Sequence, residues 1–164
     1  MTDLNDLAAP AILPPDAQEA VWFLGMLVRV RLGGSATGGR LAILEHHGER
    51  GHGSPVHRHL ADDETFFVLD GELRVEVDGQ AQAAGPGTVA FLPRRLPHGF
   101  AVTSPQVRYV TVHQPAGFDD FVREVGSPAG SVDVPPDEVP PDPALLAEIA
   151  RRHDNEILGP PLTP

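Results

Sequence analysis

The residues of this 164-residue chain best suited to chemistry crowd into one stretch, His57-Arg58-His59 followed by Glu64. If residues 57–59 are extended, both imidazoles project from one face, because strand side chains repeat every two residues. Their spacing is then roughly 6.5–7 Å, and two imidazoles leaning inward across it can share one cation. Glu64 follows a turn at 60–63, and its parity partners Phe66 and Val68 are apolar. A carboxylate on an apolar face needs a compensating partner, and a cation supplies one. His98 is the fourth candidate, at the start of a strand just past the loop bracketed by Pro93 and Pro97. Three imidazoles and one carboxylate suit Fe(II), Ni(II), Mn(II), Zn(II) or Cu(II). In octahedral geometry such a set leaves two positions for oxygen or a bidentate substrate. A lone H-x-H is cheap, arising by chance roughly 0.4 times in a chain of this composition. Adding Glu64 and two glycines at fixed offsets lowers that to about a few in ten thousand.

These residues must be positioned by short, turn-rich elements. The chain holds 17 Gly and 18 Pro, a density that favours an all-β reading. Val21–Leu32 reads as one long strand or as two strands bent at Gly25. Gly33-Gly34 reads as a turn and residues 40–45 as the next strand. Strands follow at 65–69 and 73–77, where Leu73, Val75 and Val77 alternate with charged residues. Asp78-Gly79 is the strongest hairpin signal. Residues 88–92, 98–102 and 107–113 complete seven or more short strands, the pattern of a sandwich or barrel. After Gly117, residues 118–125 predict a helix and 127–143 a Pro- and Asp-rich linker. Asp142 caps a second helix with Pro143 at its first position, and Gly159-Pro160-Pro161 is expected to be a terminal tail. The expected division is an N-terminal arm at 1–19, a β-barrel at 20–114, and a C-terminal extension at 115–164 with short helices. That extension is expected to wrap the β core or a second subunit.

Composition removes whole function classes. Without Cys there is no disulfide scaffold, thiolate site or cysteine nucleophile. All 12 basic residues are Arg, which removes Schiff-base chemistry and a P-loop lysine. A net charge of −11 argues against a nucleic-acid partner. The longest apolar run, residues 20–28, is too short to span a bilayer. The acidic N-terminus is unlike a signal peptide, so a cytoplasmic location is expected. No Ser nucleophile elbow or dinucleotide-binding glycine fingerprint is present.

Gly51, His57, His59, Glu64 and Gly71 match the first cupin motif, G-x5-H-x-H-x4-E-x6-G, at every fixed position. Gly87 to Pro93 followed by His98 resembles the second, G-x5-P-x-G-x2-H-x3-N, with Arg95 in place of Gly and Val102 in place of Asn. The resemblance spans roughly residues 20–114. It implies an all-β cupin double-stranded β-helix, or jelly-roll barrel, holding one divalent metal through His57, His59, Glu64 and His98, commonly as a homodimer. Residues 117–128 and 156–161 are similar to the tail of single-domain quercetin 2,3-dioxygenase-like cupins. That narrower resemblance implies a metal-dependent dioxygenase that binds a small aromatic or enolic substrate and O2, with Glu64 taking the substrate's hydroxyl proton. Serving as base beside a cation requires an apolar wall or a loosened metal bond, and Phe66, Phe91 and Phe100 are the candidate wall residues. The alternatives are a metal-dependent isomerase, cyclase or lyase, or a cupin that only binds a small molecule. His46 and His47 read as surface or rim residues of which only one can face inward. His52 falls in a Gly-rich loop, His113 at a strand end, Arg94 and Arg95 in an exposed loop, and Asp62 and Asp63 in a turn.

Overall fold

A computed structural model describes residues 9–130 and 141–164. Most of the predicted 127–143 linker and the first residues of the arm lie outside the described residues. The elements are β1 (Glu19–Phe23), β2 (Met26–Leu32), α1 (Gly34–Thr37), β3 (Ala42–Glu49), β4 (Pro55–His59), β5 (Asp63–Asp70), β6 (Leu73–Val77) and β7 (Gln80–Ala84). They continue with β8 (Val89–Leu92), β9 (His98–Val102), β10 (Gln106–Gln114), α2 (Phe118–Val125), β11 (Ser127–Pro128), α3 (Pro143–Arg152) and β12 (Asn155–Pro161). One antiparallel sheet has the order β11-β1-β2-β3-β10-β5-β8, and the other has the order β12-β4-β9-β6-β7. The two sheets share a core, since Phe66, Val68 and Tyr109 of the first pack with Leu73, Val75 and Val102 of the second. This is the expected all-β double-sheet architecture. Among the described residues, no helix is long and apolar enough to cross a membrane.

Turn chemistry accounts for the strand boundaries. Leu24 and Gly25 both have positive φ (50° and 83°), so the Val21–Leu32 run divides into a hairpin. Asp78 and Gly79 do the same (50° and 75°) between β6 and β7, as a type I′ turn requires. Gly71, the last glycine of the first motif, sits at φ 74°, and a Cβ there would lie 2.1 Å from the Gln106 carbonyl oxygen. The motif glycine therefore marks a close backbone approach as well as a left-handed turn. The expected turn at Gly33-Gly34 is instead the start of α1, which ends on the left-handed Gly38. β3 runs four residues past the expected end and carries His46 and His47 within the sheet.

The tail is the main correction. Rather than trailing off at Gly159-Pro160-Pro161, residues 155–161 form β12 on the edge of the second sheet. Asn155 pairs with His59, Glu156 with Arg58 and Ile157 with His57 before the register shifts toward Pro161. Proline is tolerated there because an edge strand has one side free of ladder bonds. Both helices form where expected. The Asp142 side chain accepts from the amides of Ala144 and Leu145 at 2.9 and 3.1 Å, with Pro143 beginning α3. In α2, Phe121 and Val122 are buried against the barrel.

Candidate metal centre

β4 presents His57 and His59 on one face, β9 places His98 directly opposite His57, and β5 of the facing sheet supplies Glu64. The ligand atoms of these four residues all lie within 4.8 Å of one another. His59, Glu64 and His98 are buried, and His57 is partly so.

The hydrogen bonds of the rings define what they offer. His57 Nδ1 lies 2.8 Å from the Pro55 carbonyl and His98 Nδ1 lies 2.9 Å from the Leu96 carbonyl. His59 Nδ1 lies 2.9 Å from Asp62 Oδ2. Carbonyls and carboxylates only accept, so each Nδ1 carries the proton and each neutral ring presents a bare Nε2 lone pair. Those lone pairs converge. His57 and His59 Nε2 are 3.2 Å apart, and Glu64 Oε2 is 3.6 Å from His59 Nε2 and 3.3 Å from His98 Nε2. Among the described residues His98 Nε2 is buried without a hydrogen bond. Four acceptors facing one point repel unless a cation lies among them. The 3.2 Å separation also suits two nitrogens sharing an ion at ~2.0–2.1 Å each. The donor set therefore fits a divalent first-row ion, with His59 steadied by a carboxylate as metal-binding imidazoles commonly are.

Asp62 is not a simple turn residue. It is buried, and the same Oδ2 that accepts from His59 accepts from His113 Nδ1 at 2.8 Å. With that proton assigned, His113 Nε2 accepts from the Thr111 hydroxyl (3.1 Å), which in turn accepts from His46 Nε2 (2.9 Å). His46 is thus buried rather than at the rim, stacked on Tyr109 with ring centroids 4.6 Å apart. His47 points the other way, 2.7 Å from Glu45. Phe118 of α2 stacks on His113 with centroids 4.3 Å apart and closes this side of the site. Strand parity carried the signal for the buried residues. Tyr109, Thr111 and His113 share one face of β10, and His46 is the register partner of Tyr109.

Arg94 pairs with Asp63 at 2.7 Å at the surface, and His52 Nδ1 accepts from the Glu49 amide at 3.0 Å. Arg95 stands where the second motif has Gly, and its φ is 70°. The left-handed turn is kept at some strain, and the Arg95 amide donates to the His59 carbonyl at 2.7 Å.

Electrostatics follow from burial and crowding. Burial pushes the His57 ring down to about 3, and the neighbouring His98 and His59 rings add to this. Burial pushes His46 down to about 3 as well, despite Glu64. For Glu64 burial opposes ionisation, but the facing His113, His98 and His59 rings, when they carry positive charge, outweigh it and hold the carboxyl well below its ordinary range. Asp62 is likewise pulled down to about 2 against burial by its bonds to His113 and His59. Burial, then Glu64, raises the Tyr109 hydroxyl well above 10, so it stays protonated.

These shifts act in one direction on stability. Between pH 6.5 and 3 the unfolded chain protonates His46 and His57 while the folded protein resists, so stability falls as pH falls. Asp62 adds to the loss between 3.8 and 2. The metal-free protein is expected to melt at least about 10 °C lower at pH 4 than at pH 7. Scanning calorimetry across that range checks this, and an unchanged midpoint would show that these rings are not held neutral.

The centre opens into a cavity with about 720 Å³ of empty space, counting the open solvent at its mouth. Glu64, His57 and His46 face it, and aromatic walls come from Phe23, Phe66, Phe100, Phe118 and Phe121. Phe91, expected in that wall, is absent from the lining and is 60% exposed. On β8 it pairs with Thr65, whereas its neighbour Leu92 pairs with Glu64 and takes the inward position. α3 and β12 add Leu146, Ala150, Asn155 and Ile157, so part of the extension covers the barrel mouth.

Residues 45–113 match a cupin domain, the Cupin_2 family. Quercetin 2,3-dioxygenase of Bacillus subtilis (strain 168) is 27% identical over 128 residues, which is 78% of this chain and 38% of that protein. The matched region thus spans well under half of the relative's length. The structure of KdgF from Halomonas sp. aligns with a TM-score of 0.60 at 18% identity, over 68% of this chain and 99% of that one. The polyketide cyclase RemF from Streptomyces resistomycificus aligns with a TM-score of 0.55 at 23% identity, over 65% and 80%. At these identities the structural likeness is one of fold.

Proposed function

This chain carries a cupin domain, and from that premise we propose that it is a metal-dependent dioxygenase acting on a small aromatic or enolic substrate. The observation that carries the reading is the convergence of three imidazole lone pairs and Glu64 at the foot of an aromatic-walled cavity. The likeness to quercetin 2,3-dioxygenase supports the oxygenase choice. A divalent ion held by His57, His59, Glu64 and His98 would supply a Lewis acid for a substrate oxygen.

The chain's own residues do the rest. The phenylalanine walls hold a flat ring and keep water from it. Glu64 receives the substrate's hydroxyl proton. Its carboxylate would be a weak base, because a divalent cation beside it favours the ionised form. It therefore matches an acidic phenolic or enolic hydroxyl better than an aliphatic alcohol. Asp62 keeps His59 in the tautomer that leaves its Nε2 free to face Glu64, and His113 in the tautomer whose Nε2 accepts from Thr111.

Protein reconstituted separately with Fe, Ni, Mn, Zn and Cu, then given a flavonol panel in an oxygen electrode, tests the reading. Flavonol loss matched by equimolar O2 uptake with at least one metal is expected. Consumption of substrate under strict anaerobiosis would replace it with an isomerase, cyclase or lyase, and recovery of bound ligand unchanged would leave a binding protein.

A further inference from the structure

Asn155 lies in the first turn-out from α3 into β12, outside the metal-binding strands, and is 3% exposed. Its backbone is tightly placed. Asp154 takes a left-handed conformation (φ 56°), and its carbonyl accepts from the Leu60 amide at 2.7 Å. Asn155 is the register partner of His59. Partners across an antiparallel pair share a face with their side chains ~5 Å apart, so the amide stands beside a metal-binding imidazole and lines the cavity.

The two ends of this amide are used unequally. Nδ2 donates to the His153 carbonyl at 2.8 Å. That bond fixes the orientation, since the flipped amide would set two oxygens against each other. Among the described residues Oδ1 is buried with no hydrogen-bond partner. Holding the end of α3 explains Nδ2 and leaves Oδ1 unexplained, and a buried acceptor without a donor costs free energy. The neighbouring His59 cannot satisfy it, because that ring's only proton is already given to Asp62. No described residue donates to Oδ1, and Asn155 lines the cavity, so a molecule bound there is the candidate donor.

We propose that Asn155 is a specificity-determining residue whose Oδ1 accepts a hydrogen bond from a hydroxyl of the bound substrate. The substrate class is then an aromatic or enolic compound with two adjacent oxygens, one for the metal and one still protonated for Asn155. This rests on the function proposed above and narrows it.

Zinc-loaded protein titrated by fluorescence with 2,3-dihydroxynaphthalene and with 3-methoxy-2-naphthol tests the pairing. The methyl ether keeps one hydroxyl and the ring system but loses one donor. Wild-type protein is expected to prefer the diol, and the diol-to-ether affinity ratio is expected to fall about 5–10-fold in Asn155→Leu. Asn155→Ala provides the same reading if the leucine variant does not fold, with circular dichroism and zinc stoichiometry confirming intact sites. A merely structural asparagine would weaken both probes together and leave the ratio unchanged, which would overturn the proposal. Failure of zinc-loaded wild-type protein to bind either probe would instead overturn the function on which it rests.

Discussion

His98→Ala is expected to bind zinc at least about 100-fold more weakly than the wild-type protein, a larger loss than removing a supporting hydrogen bond causes. Among the described residues His98 Nε2 is buried without a hydrogen bond and faces Glu64 Oε2 at 3.3 Å. Its removal takes away one of four ligands while leaving the ring's supporting contact, the Leu96 carbonyl, in a loop that can reach water. Competition with a chromophoric chelator gives the affinity. Thermal melting gives a second view. Zinc at a thousandfold excess over its dissociation constant stabilises a folded protein by about 4 kcal/mol, or roughly 10 °C for a chain of this size, and the variant should lose that gain. His52→Ala, in the loop outside the cluster, serves as the control and should bind zinc as wild type does. Unchanged zinc affinity in His98→Ala would remove the four-residue centre from consideration.

Asp62→Ala is expected to damage both stability and the metal site. One carboxylate oxygen accepts from two buried imidazoles, so its loss leaves two buried N–H groups without acceptors. Breaking such a buried, charged network costs about 3–5 kcal/mol, which lowers the melting temperature by roughly 10 °C or more. The released His59 ring can turn or change tautomer, and metal affinity should fall about 10–100-fold. Asp62→Asn keeps an acceptor oxygen but not the charge, and should lie between alanine and wild type on both scales. Calorimetry and chelator competition measure the two effects. A stable Asp62→Ala protein with wild-type affinity would show that the shared oxygen positions neither ring.

The clustering of His57, His59 and Glu64 was legible because its determinants are local. His57 and His59 are two apart on one strand, and Glu64 sits in parity with Phe66 and Val68, so each faces inward wherever the strands fall. The hairpin at Asp78-Gly79 and the cap at Asp142 were legible for the same reason, each being set by a few consecutive residues. What escaped depended on partners distant in sequence. Asp62 looks like any turn aspartate until His113, 51 residues away, arrives at its side. His46 looks like half of a surface pair until β3 extends beyond Glu45 and lays it on Tyr109. β12 was hidden by Gly159-Pro160-Pro161, which punctuate a chain in isolation yet are harmless on a sheet edge. Phe91 was misplaced by a single residue of parity on β8, which turned it to the outside.

Half of the residues lining the cavity lie outside the 45–113 span that matches the family, in β1 and β2 on one side and in α2, α3 and β12 on the other. All four candidate ligands lie inside it. Half of the cavity lining is consequently written in stretches of the gene apart from the candidate ligands. Mutation can redraw the mouth of the barrel at lining positions while leaving the candidate ligands themselves unchanged, although β12 must keep its pairing with His57 and His59. A library randomised only at the flanking lining positions would vary the shape of the cavity while keeping the four candidate ligands.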